Sequence, residues 1–447
     1  MAVLGNVNDG QVSGQRGSTD VRAMSIATAL FFMWGFLTCL NDILIPHLKS
    51  IFELSYAQAM LVQFAFFSAY FVFALPAGKL VEWRGYKQTM VFGLVVMAVG
   101  ALLFLPASSM ASFGVFLSAL VVLAAGITCL QVSANPYVTS LGPVRTAASR
   151  LNFSQAFNSL GTTLAPLVGG ALILGGTQIA PEKLHSLSAA VLQTYRAQQA
   201  SSVRLPYFGI ALALLALALA LGLLKLPPMV TEQTTQDFRP GAYGAGSEAK
   251  DSIWQHPWLL LGALGIFLYV GAEVSIGSFL VNYFGLPQIM HLSEQAAAKY
   301  VGFYWGGAMM GRFIGAAILQ RLRAGVVLSC AALVAAGLVV TSMLTHGPTA
   351  MWAILLVGLF NSVMFPNIFT LGLANLGALT SKGSSLMVAA IVGGALLPLL
   401  EGKLADNFGV QHAFVVPVIC YLFIAGFGYA ARNLLAATPP AVMDPAG

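Results

Sequence analysis

Apolar residues run along the chain in twelve long stretches separated by short polar ones. They cover residues 25–46, 57–80, 88–107, 112–140, 151–175, 206–226, 255–284, 297–320, 325–345, 350–375, 383–402 and 410–431. Each is near the roughly 20 residues that a helix needs to cross a hydrocarbon core. The eleventh is interrupted by Pro398 and Glu401. Two connections are long. Residues 176–205, with Gln193, Gln198 and Gln199, are expected to form a short surface helix. Residues 227–254, with Pro227, Pro228, Pro240 and several glycines, have the composition of a linker. The pattern predicts a first six-helix bundle over 25–226, a linker over 227–254 and a second bundle over 255–431. Polar tails at 1–24 and 432–447 flank them, the first expected to be disordered.

Composition narrows the class. Of 447 residues 58% are apolar and only 8% charged, against roughly 25% charged in a soluble globular chain. That excludes a water-soluble domain and a disordered chain alike. The net charge of +6 would suggest nucleic acid if the basic residues clustered, but they lie in short loops. With the N-terminus in the cytoplasm, 14 basic residues fall on the cytoplasmic side and 6 outside. This predicts a multi-pass protein with both termini inside, suited to a bacterial inner membrane. Cys39, Cys129, Cys330 and Cys420 all lie in apolar runs, without the spacing of a metal site or disulfide framework. They are expected to be small buried hydrophobes.

The two halves echo one another. Pro76-Ala-Gly-Lys-Leu-Val-Glu-Trp-Arg-Gly85 follows the second stretch and leads straight into an apolar helix. Ala316-Ala-Ile-Leu-Gln-Arg-Leu-Arg-Ala-Gly325 does the same after the eighth. Paired six-helix repeats are the architecture of the major facilitator superfamily. The first hairpin resembles part of that superfamily's Gly-x-Leu-x-Asp-x-x-Gly-Arg signature, with Glu82 and Tyr86 where Asp and Arg usually stand. Gly78, Glu82, Arg84 and Gly85, with the intramembrane Arg312, are therefore candidates for conformational gating.

Polar groups at membrane depth are costly and point to function. Asp42, late in the first stretch, is either an interfacial residue before His47 and Lys49 or a cavity carboxylate that binds and releases a cation. Glu273 lies about 24 Å along its helix from Pro257. It either pairs with Arg312 or faces an aqueous pathway. Gln131 and Asn135 share one face at i, i+4; Asn152, Gln155 and Asn158 share another at i, i+3, i+6. Asn and Gln offer donor and acceptor side by side, as sugar hydroxyls do, so these amides read as a polar cavity wall. Asn282, Asn361 and Asn367 add amides in the second half, and Trp34 and Trp305 lie within spans, where each either packs between helices or offers its face to a pyranose. Trp83, Trp254, Trp258 and Trp352 read as interface anchors. No phosphate loop occurs and no His-Glu-x-x-His or Gly-x-Ser-x-Gly motif. ATP-driven transport and an intramembrane enzyme therefore lack support, and no cofactor is expected.

Six segments carry a family resemblance: Phe31-Phe-Met-Trp-Gly-Phe, Leu40-Asn-Asp-Ile-Leu-Ile-Pro-His-Leu-Lys49, Leu130-Gln-Val-Ser-Ala-Asn-Pro-Tyr137, Gln155-Ala-Phe-Asn-Ser-Leu-Gly161, Tyr269-Val-Gly-Ala-Glu-Val-Ser and Phe365-Pro-Asn-Ile-Phe. Over residues 25–430 the chain resembles the fucose:proton symporter family, most closely its bacterial glucose/galactose branch. The resemblance implies an all-α, twelve-helix transporter of two pseudo-symmetric bundles that moves a monosaccharide inward with a cation by alternating access. The family's first-helix acid matches Asp42, while its fourth-helix acid falls at Gln131, which cannot titrate. Gln155 and Asn158 match amides of its sugar-site motif. Glu273 stands where the fucose permease has Gln, so the second carboxylate has in effect moved from the fourth helix to the seventh.

The expectation is a cation-coupled symporter of glucose and galactose. Asp42, Asn41 and Glu273 serve the ion; Gln131, Asn135, Gln155, Asn158, Asn282, Asn361, Trp34 and Trp305 serve the sugar. Na⁺ held transiently at Asp42 with Asn41 and carbonyls freed near Pro46, or a proton on Asp42, would each suffice. The alternatives are a symporter of another monosaccharide, such as fucose or N-acetylglucosamine, and a non-transporting sugar sensor; the short tails count against the sensor. The expected partners are a hexose, the coupling cation and the lipid bilayer, with no nucleic acid, and the chain is expected to act as a monomer.

Overall fold

The computed structural model describes residues 19–52, 56–110, 112–173, 204–224, 226 and 252–435. The expectations for the tail ends 1–18 and 436–447, for 176–203 and for linker residues 227–251 lie outside the described residues. So do the side chains of 39–52, Asn41, Asp42 and Cys39 among them.

Long apolar runs leave a backbone no partner but itself, and in lipid that selects helices. The first is α1 (Val21–Phe52), opened by Asp20, whose Oδ1 accepts from the Ala23 amide at 2.9 Å. The next run, Tyr56–Met110, is helical throughout except at Gly85 (φ 80°, ψ 170°). Only glycine reaches that geometry without strain, so the run folds back there into two limbs, α2 (56–84) and α3 (86–110). Then follow α4 (Phe113–Ser140), α5 (Ala147–Ile173) and α6 (Arg204–Leu223). The second half holds α7 (Pro257–Gly285), α8 (Glu294–Ile318), α9 (Ala324–Leu344), α10 (Gly347–Gly372), α11 (Gly377–Phe408) and α12 (Val410–Ala430). Nine apolar helical segments among the described residues are long enough to cross a membrane. One, Phe64–Ser108, spans 45 residues and supplies two crossings by turning at Gly85. The more polar α5 and α8, 27 and 25 residues long, complete twelve.

Packing repeats with an offset of six helices. Helix α1 packs on α5 and α7 on α11; α3 packs on α4 and α9 on α10; α6 lies against the α2–α3 limbs and α12 against α9. Small residues allow the closest approaches. A Cβ at Gly35 would overlap the Asn158 carbonyl, which brings α1 against α5. Between halves, α2 meets α11, α5 meets α8, and the ends of α4 and α5 meet α11 and α10.

That last seam lies on the face carrying the start of α1, the α4–α5 connection and the end of α12. The Asp20 amide donates to the Leu141 carbonyl at 3.1 Å there. Arg150, 5% exposed, reaches back from α5 to the end of α4. Its guanidinium donates to the carbonyls of Val138, Thr139, Pro143 and Gly142 and to Thr146 Oγ1. A helix end leaves carbonyls without partners, and one planar five-donor fork satisfies several of them.

One expectation from the sequence is corrected. Cys129 and Cys420 are buried as predicted, but Cys330 is exposed. It lies on the same stripe of α9 as exposed Val326, Leu333 and Val334, a helix face that meets lipid, where a small apolar side chain belongs as well as in a core.

Candidate functional site

Polar side chains converge along the seam between the halves. On α4, Gln131 (4% exposed) lies against Tyr70 of α2, which also touches Trp34 of α1. Gln131 Oε1 has no hydrogen-bond partner, and neither amide atom of the fully buried Asn135 has one. An unpaired buried amide costs roughly 1–3 kcal/mol, so these atoms are poised for a polar ligand or a second conformation.

On α5 the three amides divide their work. Asn158 Nδ2 donates to the Phe31 carbonyl of α1 at 3.1 Å. Gln155 is 4% exposed, and its backbone carbonyl accepts from Arg312 Nη1 of α8 at 3.3 Å. Asn152 faces the closed seam, where its Nδ2 donates to Asn367 Oδ1 of α10 at 3.2 Å. It therefore ties the halves together.

Across the seam, Glu273 of α7 accepts a hydrogen bond from Tyr269 Oη at 2.7 Å. The open choice at Glu273 between a direct pair with Arg312 and another role is answered in part. Arg312 lies in electrostatic reach, but its guanidinium donates to the Gln155 carbonyl, Ser159 Oγ and the Ser362 carbonyl. Ser362 sits at the break in α10 between its two helical pieces, Gly347–Asn361 and Met364–Gly372. Asn361 Nδ2 donates to Tyr304 Oη at 2.7 Å, and its Oδ1 is unpaired. Trp305, 43% exposed, packs its ring edge against Gly277 of α7 and meets Tyr304 edge to face. Asn282 is exposed near the far end of α7 and is not brought to this group.

The gating candidates lie at the closed face. Glu82 accepts from Ser381 Oγ at 3.1 Å and stands 3.9 Å from Lys382 Nζ, both on α11. Gly78 leaves just enough room for Ser385 of α11. Arg84 stacks at 4.0 Å on Trp83, and Gly85 makes the turn into α3.

Sequence reading passed over several members of this seam. Ser149 Oγ donates to the Ala316 carbonyl at 2.6 Å, and Ser384 Oγ to the Val132 carbonyl at 2.8 Å. Both join the halves. Within the second half, Glu401, a marginal intramembrane carboxylate by sequence, is fully buried with neither carboxyl oxygen bonded, beside Ser275 of α7.

Comparison with known proteins agrees with this layout. A family model described as Major Facilitator Superfamily matches residues 25–391. The glucose/galactose transporter of Brucella abortus biovar 1 (strain 9-941) is 52% identical over 407 residues, covering 91% of this chain and 93% of the relative. The L-fucose-proton symporter of Escherichia coli (strain K12) is 34% identical, with 90% and 91% covered. The crystal structure of the transporter FucP in the outward conformation superposes with a TM-score of 0.83 at 32% identity, over 92% of this chain and 99% of that one.

Proposed function

The chain belongs to the major facilitator superfamily, and we propose that it carries hexoses, glucose and galactose first, into the cell together with a cation. It is a sugar symporter. The observation that carries this reading is the 52% identity, over nine-tenths of both chains, to a relative named a glucose/galactose transporter.

The described part of the seam is consistent with this reading, and the remaining roles are part of the proposal. Gln131 and Asn135 present unbonded amide atoms on α4, Trp34 of α1 meets Tyr70 beside Gln131, and Gln155 and Asn158 of α5 join them in this reading. In this reading Asn361 and Trp305 contribute from the second half, while Asn282, exposed and apart from the group, does not. Asp42, with Asn41, takes the ion, and Glu273 is the second carboxylate. The E. coli relative is named a proton symporter, which favours H⁺ over Na⁺. Both termini are cytoplasmic in a bacterial inner membrane, so the closed face is the inner one and the conformation opens outward. Gly78, Glu82, Arg84, Gly85 and Arg312 act in the change between states. The protein works as a monomer in the bilayer, with no cofactor beyond the coupling ion.

Radiolabelled glucose uptake into proteoliposomes, with a Na⁺ gradient or a pH gradient imposed separately and unlabelled galactose and fucose as competitors, tests this directly. The expected result is uptake driven by pH and competed by galactose. Uptake driven by Na⁺ alone would make Asp42 a sodium ligand. Absence of driven uptake of any hexose would reject coupled symport. Asp42→Asn is expected to abolish accumulation while leaving sugar exchange intact.

A further inference from the structure

A cavity of about 270 Å³ opens on the closed face, away from the seam's sugar and ion groups. Four arginines line it: Arg145, Arg321, Arg323 and Arg432. They come from three separate connections. Arg145 belongs to the 3-10 turn Val144–Thr146 between α4 and α5. Arg321 and Arg323 lie in the α8–α9 connection, and Arg432 follows α12. No carboxylate lines the cavity among the described residues.

Two of the guanidiniums are held in place by neutral groups. Arg323 Nη1 donates to Asn433 Oδ1 at 2.6 Å. Arg432 Nη1 donates to the Tyr429 carbonyl at 2.7 Å, with its guanidinium 4.1 Å from the centre of the Tyr429 ring. These contacts orient the charge without neutralising it. Ala324 and Gly325, the first residues of α9, also line the cavity. That helix start has no side-chain cap and no acid in its first turn, so its free amides add further positive potential. Like charges gathered around one cavity repel, and an anion within it reverses the balance. Guanidinium forks match the paired oxygens of phosphate in particular.

We propose that this cavity binds a phosphate-type oxyanion, either free or as the headgroup of an anionic phospholipid. Arg145 is on the first half and the other three arginines on the second, so the anion bridges the halves. Opening of this face carries Arg145 away from its companions. The ligand then binds the closed-face state more tightly and shifts the population toward it.

The test uses the full-length protein and does not depend on which sugar it carries. Thermal unfolding is followed in detergent while inorganic phosphate replaces chloride at constant ionic strength. It is also followed in nanodiscs of phosphatidylcholine with and without phosphatidylglycerol. Arg145→Gln and Arg321→Gln remove lining groups, Arg145→Lys keeps charge without the fork, and Arg22→Gln removes an exposed charge that does not line the cavity. The expected result is a stabilising response whose midpoint rises at least tenfold in both lining Gln variants, moves less in Arg145→Lys and is unchanged in Arg22→Gln. A response to phosphate in detergent assigns a free oxyanion; a response to phosphatidylglycerol alone assigns a lipid headgroup. No response to either, or an equal response in the lining variants and Arg22→Gln, overturns the proposal.

Discussion

Gln131 and Glu273 show what a single polar side chain does at membrane depth. Gln131 is buried against Tyr70 yet leaves Oε1 unbonded, and in the proposed site that acceptor takes a sugar hydroxyl. Gln131→Ala is expected to weaken apparent glucose affinity roughly 5- to 150-fold, the factor that corresponds to about 1–3 kcal/mol. Equilibrium binding of labelled glucose checks it, and an unchanged affinity would remove Gln131 from the site. Glu273→Gln preserves an acceptor for Tyr269 but removes the charge. It is expected to cut gradient-driven accumulation while counterflow exchange persists; full accumulation would exclude Glu273 from coupling. These residues were legible because a carboxylate or amide interrupts an apolar run. Tyr70, Tyr269 and Tyr304 were not, since tyrosine passes as apolar in a hydropathy pattern and its hydroxyl shows only when the partner is placed. The Asn152–Asn367 bond joins positions 215 apart, which no local spacing reveals.

Individual helices were far easier to read than their ends and joints. Apolar length located α4 almost to the residue, predicted over 112–140 and found over Phe113–Ser140. The eleventh helix runs longer than its apolar stretch, Gly377–Phe408 against 383–402. Thr380, Ser381 and Lys382 precede the apolar stretch, and Ser381, buried, donates to Glu82 of the first half, so polar contacts rather than apolar content carry the start of the helix. Pro398 sits inside it but does not end it. The α4–α5 joint depends on Arg150, which sequence reading treated only as a positive charge orienting the chain. Its bonds to four carbonyls and one hydroxyl make it the cap of α4. Arg150→Ala is expected to destabilise the fold by at least about 2 kcal/mol, given that bonds to a charged group contribute about 1.5–3 kcal/mol each. Arg150→Lys should recover only part of this, because an ammonium cannot span the same set of carbonyls. Thermal unfolding of the two variants in detergent distinguishes them, and equal stability of Lys and wild type would show that charge alone suffices.

Alternating access requires that the bonds closing one face be few and weak enough to exchange. Among the described residues, side-chain hydrogen bonds between the halves at this seam include Asn152 to Asn367, Ser149 to the Ala316 carbonyl, Ser384 to the Val132 carbonyl and Ser381 to Glu82, with Arg312 to the Gln155 carbonyl and Ser159 one turn further along α8. The Lys382–Glu82 pair adds little, since both side chains are substantially exposed, 55% and 39%. Next to these bonds lie the unpaired amide atoms of Asn135, the unpaired Asn152 Oδ1 and the unpaired Asn367 Nδ2. Such atoms destabilise the closed seam and gain water when it opens, so the two states are brought closer in free energy. Removing bonds that exist only in the closed state shifts the equilibrium further. Asn152→Ala combined with Ser384→Ala deletes two, each with a net contribution of about 0.5–1.5 kcal/mol. The population open at this face is therefore expected to rise roughly 5- to 150-fold. Spin labels at Arg22 and Leu322, in a background with the four native cysteines replaced, report it as a growing long-distance component in pulsed electron paramagnetic resonance. An unchanged distance distribution would mean that apolar packing between α2 and α11 and between α5 and α8, rather than this hydrogen-bonded seam, sets the resting conformation.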